Sequence, residues 1–363
     1  MNGFPTRAED IEAGWLQAQL EAAGVLDGAI ITGLDAQPIG TGQVGDTVRI
    51  SLRYDRAGTA PLSIAAKLPS RNETSRATAA QFSLYLREVN FYREIAPLIE
   101  MRVPTAYRAM VDDSGSDLIL LFEDLGPANV GNQLASCTLA QARQAVVQAA
   151  ALHASTDNLP ALDADWLQPD MNARAAISHA YPIAQATFRD RYAAQLEPEY
   201  MQLCDALATN CDTWFAFEAT TRCLTHGDFR LDNMLFNIRG GAEPVAVVDW
   251  QTCGVGGGTT DLAYFIGCGI GTELRRAHED ELIDLYCAEM TRRGVFRTRT
   301  QIFDDYRIGA LHGLSTAVFS AAFVERTERG DANFLSMARG ACSLVLDHDG
   351  LGALMRRIET ATC

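Results

Sequence analysis

Residues 225–233, which read T-H-G-D-F-R-L-D-N, constrain the fold of this chain more than any other segment. Asp228 is followed five positions later by Asn233, and an apolar run then leads to a second aspartate, Asp249, in V-A-V-V-D-W. A carboxylate, an amide and a strand-borne carboxylate in this order are typical of a phosphoryl-transfer site. An ordinary exposed turn would also use Asp, Asn and Gly, but Asn233 and Asp249 together disfavour that interpretation.

The spacing of these side chains fits the chemistry. Moving a γ-phosphoryl group requires a carboxylate beside the attacking hydroxyl and hard oxygen ligands for Mg²⁺. We expect Asp228 to be that carboxylate, and Asn233 and Asp249 to be the Mg²⁺ ligands. The flanking sequence predicts short strands at residues 223–224, 234–236 and 245–248. It also predicts a Gly-Gly turn at residues 237–244.

The composition excludes several classes of protein. A chain of 363 residues exceeds a typical single domain and is expected to form two lobes. The N-terminal sequence lacks the pattern of a signal peptide and no stretch approaches a membrane span, so we expect a cytoplasmic protein. A net charge of -16 disfavours nucleic acid and anionic membranes as partners. The nine scattered cysteines, without a C-x-x-C pair, are expected to be reduced thiols.

A glycine-bearing turn, I-G-T-G-Q-V-G-D-T-V, lies between strands predicted at residues 30–34 and 48–54. Gly40, Gly42 and Gly45 fit the pattern G-x-G-x-x-G, which suits a dinucleotide-binding turn, a hairpin over phosphates or a flexible loop. The strand-like V-R-I-S-L-R-Y follows, whereas a dinucleotide-binding unit continues into a helix. The hairpin over phosphates is therefore favoured.

Lys67 lies near the end of a strand predicted at residues 62–68. Such a lysine either points to solvent or meets anions, because burying an unpaired charge is costly. A helix predicted over residues 79–95 offers Glu88 and Glu94 as partners; we prefer Glu88, which lies mid-helix beside an aromatic stripe, and keep Glu94 as the alternative. In phosphotransferases of this layout the lysine contacts the α and β phosphates while a helix glutamate holds it.

The boundary between the two lobes is predicted where the strand at residues 118–122, L-I-L-L-F, runs into E-D-L-G. A strand that becomes an inter-lobe linker can offer backbone hydrogen bonds to adenine; an interior strand with an acidic turn is the alternative. Beyond it the composition turns helical, beginning with a helix over residues 138–155 that starts at a threonine cap. His153 on its last turn is expected to be a packed structural histidine.

With these residues placed, the chain resembles the aminoglycoside phosphotransferase and choline kinase-like group of protein-kinase-fold enzymes, and within it the ecdysteroid kinase-like branch. The resemblance is carried by G-T-G-Q-V-G, A-A-K-L, R-E-V-N-F-Y-R-E-I, L-F-E-D-L-G, L-H-A, T-H-G-D-F-R-L-D-N and V-V-D-W-Q. It implies an α+β, protein-kinase-like fold of two lobes. Residues 1–125 would form a nucleotide-binding lobe with an antiparallel sheet and a helix, and residues 126–363 a larger, mainly helical lobe.

The resemblance also implies roles for individual residues. Asp228 would be the catalytic base, with Asn233 and Asp249 as Mg²⁺ ligands and Lys67 as the phosphate-binding lysine. His226 would pin the catalytic loop, and Arg230 is a further side chain of the site. The backbone groups of Glu123 and Leu125 would meet adenine. Arg230 is either an arm that stabilises charge on the γ-phosphate or an ordinary surface arginine.

Departures from the protein-kinase pattern narrow the substrate. Position 227 is glycine where protein kinases have arginine, and D-W-Q replaces D-F-G. Only a short segment, rich in glycine, separates Asp249 from Asp261, which leaves no room for a long activation segment. We therefore expect no protein substrate. Asp261 is expected to cap a helix and to brace the catalytic loop.

The leading hypothesis is ATP- and Mg²⁺-dependent phosphorylation of a hydroxyl on a small molecule, either a hydroxylated apolar compound, an aminosugar or an amino alcohol. A catalytically silent nucleotide-binding protein is the alternative, and it would be favoured if one of the key residues were missing. A dinucleotide oxidoreductase is disfavoured by the strand after the glycine turn.

Overall fold

The computed structural model describes residues 3–40, 45–168, 171–324 and 326–361. Backbone contacts divide the chain into two compact units. The first contains Met1–Leu98, Arg102–Ala128 and Asn237–Thr252, and the second contains Ile99–Met101, Asn129–Phe236 and Cys253–Cys363. The first unit thus includes a segment from the second half of the chain, in which Asp249 lies. The lobe boundary at residues 125 and 126 stays a prediction.

A five-stranded antiparallel sheet in the order β1-β2-β3-β5-β4 forms the frame of the first unit. Its strands are β1 (Ile31–Pro38), β2 (Gly45–Tyr54), β3 (Ser63–Pro69), β4 (Ala106–Val111) and β5 (Leu118–Glu123). Four of them confirm the strands expected from the sequence. The strand β4 was not predicted, because its half-buried residues A-Y-R-A-M-V do not alternate clearly between apolar and polar.

Helix α1 (Ala13–Ala22) belongs to the same apolar core as the sheet. Leu16 and Leu20 are completely buried in that core, together with Ile50 and Ile64 of the sheet. Each such side chain contributes about 1.5–3 kcal/mol relative to full exposure. A separate 3₁₀ turn over residues 8–10 precedes this helix.

The strands β1 and β2 form an antiparallel hairpin, in which Pro38 pairs with Val48. Gly40 has a φ of +79°, a conformation that residues with a Cβ atom rarely adopt. A Cβ atom on Gly45 would lie 3.1 Å from the carbonyl oxygen of Leu68, so the close approach of β3 also favours glycine. Gly42 lies outside the described residues. The strand after the turn is inconsistent with a dinucleotide-binding βαβ unit.

The single helix predicted over residues 79–95 is wrong. The structure has α2 (Glu73–Gln81), α3 (Leu84–Asn90) and a following π-helical turn (Phe91–Ile95). Ser83 separates the two helices with a φ of 54°, in the left-handed region, which ends the regular hydrogen-bond ladder. Helix α3 carries Glu88 on its buried side.

The second unit is mainly helical. Its helices are α4 (Leu139–Ser155), α5 (Met171–Tyr192), α6 (Pro198–Thr209), α7 (Cys211–Ala216), α9 (Thr259–Gly269), α10 (Thr272–Arg292), α11 (Arg299–Gly309), α12 (Leu311–Phe323), α13 (Glu328–Asp347) and α14 (Gly350–Ala361). The predicted threonine cap of α4 is confirmed, since Thr138 and Gln141 form a capping box. Almost every residue of α9 is buried, as expected for a helix that is apolar on all sides.

Short strands of the second unit frame the segment 225–233. The strand β7 (Cys223–Thr225) pairs with β10 (Gly254–Gly256), and β6 (Asn129–Val130) pairs with β8 (Met234–Asn237). In the first unit, the predicted turn over residues 237–244 contains a distorted helical turn, α8 (Ile238–Gly241), followed by β9 (Glu243–Val247). Within the described residues, no helix has the length and apolarity needed to cross a bilayer.

An ionic cluster joins the two later segments of the first unit. Arg102 donates to Glu123 at 2.6 Å and to Glu243 at 2.6 Å. Arg239 also donates to Glu123, and the backbone N–H of Thr105 donates to the same carboxylate at 2.7 Å. Burial would raise the pKa of Glu123, but these donors hold it below its usual value. The cluster therefore ties the end of β5 to the β9 segment.

We predict that Glu123→Gln lowers the free energy of unfolding by about 1.5–3 kcal/mol, the contribution of a hydrogen bond to a charged group. An amide would place an N–H group against the guanidinium groups of Arg102 and Arg239. Urea unfolding curves measure the change. Glu9→Gln, which alters an exposed ion pair with Arg71, is the control and should leave the midpoint unchanged. Equal midpoints for both variants would contradict the assigned role of the cluster.

Candidate active site

The segment 226–233 leaves β7 through a tight turn. Gly227 has a φ of +80°, which explains glycine at a position where protein kinases carry arginine. The backbone N–H of Arg230 then donates to the carbonyl of Asp228 at 2.9 Å, and a 3₁₀ turn (Leu231–Asn233) leads into β8. Leu231 and Phe229 are fully buried and anchor this loop in the core.

The carboxylate of Asp261, on the first turn of α9, holds the loop by its backbone. It accepts hydrogen bonds from the N–H of His226 at 2.6 Å and from the N–H of Gly227 at 3.0 Å. His153 Nε2 lies 3.4 Å away from the same carboxylate. Burial would raise the pKa of Asp261, but His153 and the other donors lower it below its usual value. The predicted brace is confirmed; the helix starts at Thr259, so Asp261 lies inside the first turn instead of at the cap.

His153 is buried, as expected of a structural histidine. Its Nδ1 lies 3.0 Å from the hydroxyl of Tyr286. Because a carboxylate can only accept, the Nε2 that faces Asp261 donates to it. The Tyr286–His153–Asp261 series thus connects α10, α4 and α9 behind the loop.

Three side-chain donors surround the carboxylate of Asp228. Arg230 Nε lies 3.0 Å from both carboxylate oxygens, Tyr264 donates to Oδ1 at 3.0 Å and Asn233 Nδ2 donates to Oδ2 at 2.8 Å. The backbone N–H of Asp228 donates to His226 Nδ1 at 3.2 Å, so His226 contacts the loop as expected. Burial would raise the pKa of Asp228, but Arg230, His226 and Tyr264 hold it below its usual value. The carboxylate is therefore ionised at neutral pH.

Arg230 is not an ordinary surface arginine. Its side chain is 23% exposed, and besides Asp228 it contacts Asp232 at 2.7 Å. The charge of Asp228 is the main cause that raises the pKa of Arg230. One guanidinium therefore joins two carboxylates of the same loop. Its role toward a γ-phosphate stays a prediction.

The side chain of Asn233 has a defined orientation. Its Nδ2 donates both to the carboxylate of Asp228 and to the carbonyl of Asp228 at 2.9 Å. Because both hydrogens of the amide point at Asp228, Oδ1 is left as the oxygen that can meet a cation. Amide and carboxylate oxygens are the ligands that Mg²⁺ prefers.

In the first unit, Lys67 is buried between two carboxylates. Its Nζ lies 2.9 Å from Glu88 Oε1, 2.7 Å from Glu88 Oε2 and 2.8 Å from Asp249 Oδ1. Burial raises the pKa of Glu88, while the two carboxylates raise that of Lys67 against the effect of burial. Lys67 is 9% exposed, so its solvent-exposed alternative is wrong. The cluster holds one positive and two negative groups, which leaves an excess of carboxylate for a cation.

Asp249 is held in place by the residue that follows it. It has a φ of +70°, uncommon for a residue with a side chain, directly after the segment that contains β9. Trp250 stacks on Phe91 with ring centroids 3.8 Å apart, and its backbone N–H also bonds to Glu88. The indole thus fixes the Asp249 segment against the end of α3. A stacking role explains tryptophan in D-W-Q.

The backbone groups predicted to meet adenine are partly engaged. The N–H of Glu123 donates to Thr105 at 3.0 Å, and the carbonyl of Leu125 accepts from the N–H of Arg239 at 2.9 Å. The side chain of Glu123 serves the ionic cluster described above. Their adenine-binding role stays a prediction.

Two residues of the loop environment were missed from the sequence. Tyr264 contacts Asp228 directly, and His312 Nε2 lies 2.8 Å from the carbonyl of Gly227. The two rings meet edge to face, with centroids 5.2 Å apart. Tyr264 follows Asp261 by three positions, so both lie on one face of α9; that spacing was the available signal. His312 lies far along the chain, on α12, and had no such signal.

Among the residues that the structure describes, no group of three or more His, Cys, Asp or Glu side chains forms a metal cluster. A Mg²⁺ ion that bridges nucleotide phosphates needs fewer protein ligands, because phosphate oxygens and water complete its shell. Asn233 Oδ1 and the carboxylate of Asp249 are hard oxygen donors of that kind. Each of the two residues, considered within its own unit, can therefore serve as a ligand of Mg²⁺.

Comparison with known proteins identifies related sequences and folds. The model of the ecdysteroid kinase-like family matches residues 42–294. No curated protein matches the sequence. The fold is similar to that of a provisionally assigned aminoglycoside phosphotransferase from Ralstonia eutropha JMP134, with 16% identity over 92% of this chain and 98% of that chain and a TM-score of 0.52.

Two further structures share the fold. Choline kinase from Cryptosporidium parvum Iowa II has 11% identity over 92% of this chain and 94% of its own, with a TM-score of 0.51. Plasmodium vivax ethanolamine kinase has 10% identity over 85% and 82%, with a TM-score of 0.52. At these identities the likeness concerns the fold. It confirms the α+β, protein-kinase-like architecture expected from the sequence.

We predict that Asp261→Asn lowers the free energy of unfolding by about 3–5 kcal/mol at pH 7, because it breaks a buried charged network. The pKa of Asp261 is lowered in the folded state, so its contribution is present at neutral pH and disappears as the pH falls below about 4. The difference from wild type should therefore shrink in acid, as measured by urea unfolding at several pH values. Asp163→Asn, with a side chain 76% exposed, is the control. An unchanged midpoint for Asp261→Asn would contradict the brace.

Proposed function

Because the chain belongs to the ecdysteroid kinase-like family, we propose that it is an ATP- and Mg²⁺-dependent phosphotransferase acting on a hydroxyl of a small molecule. The observation that carries the proposal is the geometry of residues 226–233. An ionised Asp228 is fixed by Tyr264 and Asn233, and the loop that holds it is braced by Asp261. Such a carboxylate suits a group that accepts the proton of an alcohol.

In the proposed reaction the acceptor oxygen forms a bond to the γ-phosphorus while the bond from that phosphorus to the β,γ-bridging oxygen breaks. Asp228 takes the hydroxyl proton, and ADP leaves. Lys67, oriented by Glu88, would bind the α and β phosphates as a point charge. Asn233 and Asp249 would hold Mg²⁺, which would neutralise charge on the phosphates. Arg230 would stabilise charge on the transferred group.

The nucleotide would lie against the first unit. The β1–β2 hairpin with Gly40, Gly42 and Gly45 would cover the phosphates, and the backbone groups of Glu123 and Leu125 would meet adenine. The use of ATP would place the enzyme in the cytoplasm. The short segment between Asp249 and Asp261 supports a small-molecule acceptor over a protein substrate.

The acceptor class is a hydroxylated apolar compound, an aminosugar or an amino alcohol. Relatives of the fold are described as kinases of choline and ethanolamine and as an aminoglycoside phosphotransferase. Their shared reaction is transfer to a hydroxyl of a small molecule. The family match favours a hydroxylated apolar compound among the three classes.

A catalytically silent nucleotide-binding protein is the second candidate. The observation that favours it is the guanidinium of Arg230, which contacts both oxygens of Asp228. In an active enzyme this contact has to leave one oxygen accessible to the acceptor hydroxyl. Nucleotide binding without turnover would support the silent protein.

We predict that Asp228→Asn lowers the rate of phosphoryl transfer by about 10²–10⁴-fold, the usual contribution of a general base. Nucleotide should still bind, because the amide keeps the shape of the side chain. ADP release and phosphorylated product measure transfer, and a fluorescent ATP analogue measures binding. Asp163→Asn is the control. A fully active Asp228→Asn enzyme would refute the assigned base.

We predict that Asp249→Asn raises the Mg²⁺ concentration needed for half-maximal rate by at least about tenfold, a loss seen even when groups behind a metal ligand are changed. Initial rates against free Mg²⁺ at constant ATP measure it. Asp113→Asn, an exposed position of the same unit, should behave as wild type. A Mg²⁺ dependence identical to wild type would remove Asp249 from the metal site.

A further inference from the structure

A cleft within the first unit lies beside the β1–β2 hairpin and the 3₁₀ turn over residues 8–10. Its volume is about 560 Å³, within the range of small-molecule sites, about 300–1,000 Å³. Three strands contribute apolar side chains to its floor, Ala36 from β1, Val48 from β2 and Leu68 from β3. We call this space the rear cleft.

The rear cleft lies on the face of the sheet that is turned away from Lys67. Val48 and Leu68 belong to the apolar core that the sheet shares with α1. Lys67 directly precedes Leu68 in β3, and its side chain is bound to Glu88. Because successive side chains of a strand point to opposite faces of a sheet, a ligand of the rear cleft and a phosphate bound to Lys67 would lie on opposite faces.

The hairpin proposed to cover the phosphates forms one side of the rear cleft. Pro38, at the end of β1, lines it together with Gly40 and Gly45. Gly45 pairs with Pro69 of β3, which also lines the cleft. A molecule in the rear cleft would therefore contact the hairpin and β3 at the same time.

Two charged groups at the rim of the rear cleft neutralise each other. Arg71 donates to the two oxygens of Glu9, at 2.8 Å and 3.1 Å. This ion pair is satisfied without a ligand.

Two further charged groups at the rim lack a close partner. Arg7 is half-buried, and no carboxylate among the residues that the structure describes lies within ion-pair distance of its guanidinium. Asp46 is paired with Arg71 at 3.6 Å, which is beyond the range of a hydrogen bond. One cation and one anion are therefore left for a ligand.

Arg7 and Asp46 lie at the same end of the sheet. Arg7 Nη1 donates to the carbonyl of Pro69 at 3.2 Å. Pro69 is the strand partner of Gly45, and Asp46 follows Gly45 in β2. The strand partner of Asp46 is Leu68, a buried residue of the cleft floor. The cation, the anion and the apolar floor thus lie close together.

A zwitterion with an apolar side chain matches this arrangement. Its carboxylate would accept from Arg7, its ammonium group would donate to Asp46, and its side chain would cover Val48 and Leu68. An anionic amphiphile would bring its charge next to Asp46 and Glu9, and a cationic one would bring its charge next to Arg7. A free α-amino acid carries both charged groups on one carbon atom, as the proximity of Arg7 and Asp46 requires.

We propose that the rear cleft binds a free α-amino acid with an apolar side chain, and that the bound amino acid changes the affinity of the protein for nucleotide. The second part rests on the proposed function, in which the same hairpin covers the nucleotide phosphates. Because the hairpin would contact both ligands from opposite faces of the sheet, each ligand changes the affinity for the other by the same factor.

Calorimetric titration of the full chain without nucleotide tests the site. The probes are L-leucine, L-phenylalanine and L-methionine, of which at least one should bind. Two compounds that each lack one charged group of leucine, 4-methylpentanoate and 3-methylbutylamine, should bind at least about tenfold more weakly than L-leucine, because each loses one charged hydrogen bond.

Substitutions at the rim test the assigned partners. Arg7→Gln and Asp46→Asn should each weaken binding of the amino acid at least about tenfold. The matched controls are Arg108→Gln and Asp113→Asn, at exposed positions of the same unit, which should bind it as wild type does. Equal midpoints of thermal unfolding for each variant and its control show that the fold is retained. The comparison of ligands on wild type needs no variant.

The effect on nucleotide is measured with a fluorescent ATP analogue, so that it does not depend on turnover. A saturating amino acid should change the dissociation constant of the analogue at least about fivefold in wild type, and the change should be lost in Arg7→Gln.

The site is overturned if none of the three amino acids binds, if the compounds that lack one charged group bind as tightly as leucine, or if both rim variants bind as wild type does. An unchanged affinity for the ATP analogue at a saturating amino acid would refute the effect on nucleotide and retain the site. Binding and coupling as described, without transfer from ATP to any alcohol, would refute the phosphotransferase alone.

Discussion

The carboxylate of Asp261 is the constraint on which the catalytic loop depends. The loop turns through a left-handed glycine, and its first two N–H groups point into the protein, where only an acceptor of hydrogen bonds can satisfy them. Asp261 supplies both oxygens and is itself kept ionised by His153 and the loop donors. Because α9 is buried on all sides, it forms a rigid support for that carboxylate. The direction of Asp228 follows from this arrangement.

Carboxylates that share one cation occur in both units. Asp228 and Asp232 share one guanidinium, whereas Glu88 and Asp249 share one ammonium. The loop cluster is balanced, because Arg329 also contacts Asp232. In the Lys67 cluster the carboxylates outnumber the cations, and that imbalance is costly without a further cation.

Much of the first unit was predictable because its strands are apolar or alternate regularly and its glycines mark a hairpin. The preference for Glu88 over Glu94 also followed from the sequence, since an apolar stripe identifies the buried side of a helix. The break at Ser83 was not predictable, because serine has no intrinsic preference for the left-handed conformation that the structure requires there. The return of residues 237–252 to the first unit depends on long-range packing, including the stack of Trp250 on Phe91.

In the site, sequence reasoning identified the charged groups and the Asp261 brace, but not every side chain that orients Asp228. Asp228, Asn233, Lys67 and Asp249 belong to a recognisable spacing. Tyr264 and His312 each contribute a single hydrogen bond, from helices α9 and α12. The three-residue spacing from Asp261 was the signal for Tyr264, whereas nothing local marks His312. The N–H of Glu123 and the carbonyl of Leu125 are already engaged by Thr105 and Arg239, which the sequence could not indicate.

Phosphorus NMR of the wild-type protein with MgATP and a panel of hydroxylated apolar compounds, aminosugars and amino alcohols tests the central claim most directly. The account predicts a new phosphomonoester resonance that grows in step with ADP. Release of inorganic phosphate alone, or an unchanged ATP spectrum from protein that binds the nucleotide, would contradict it.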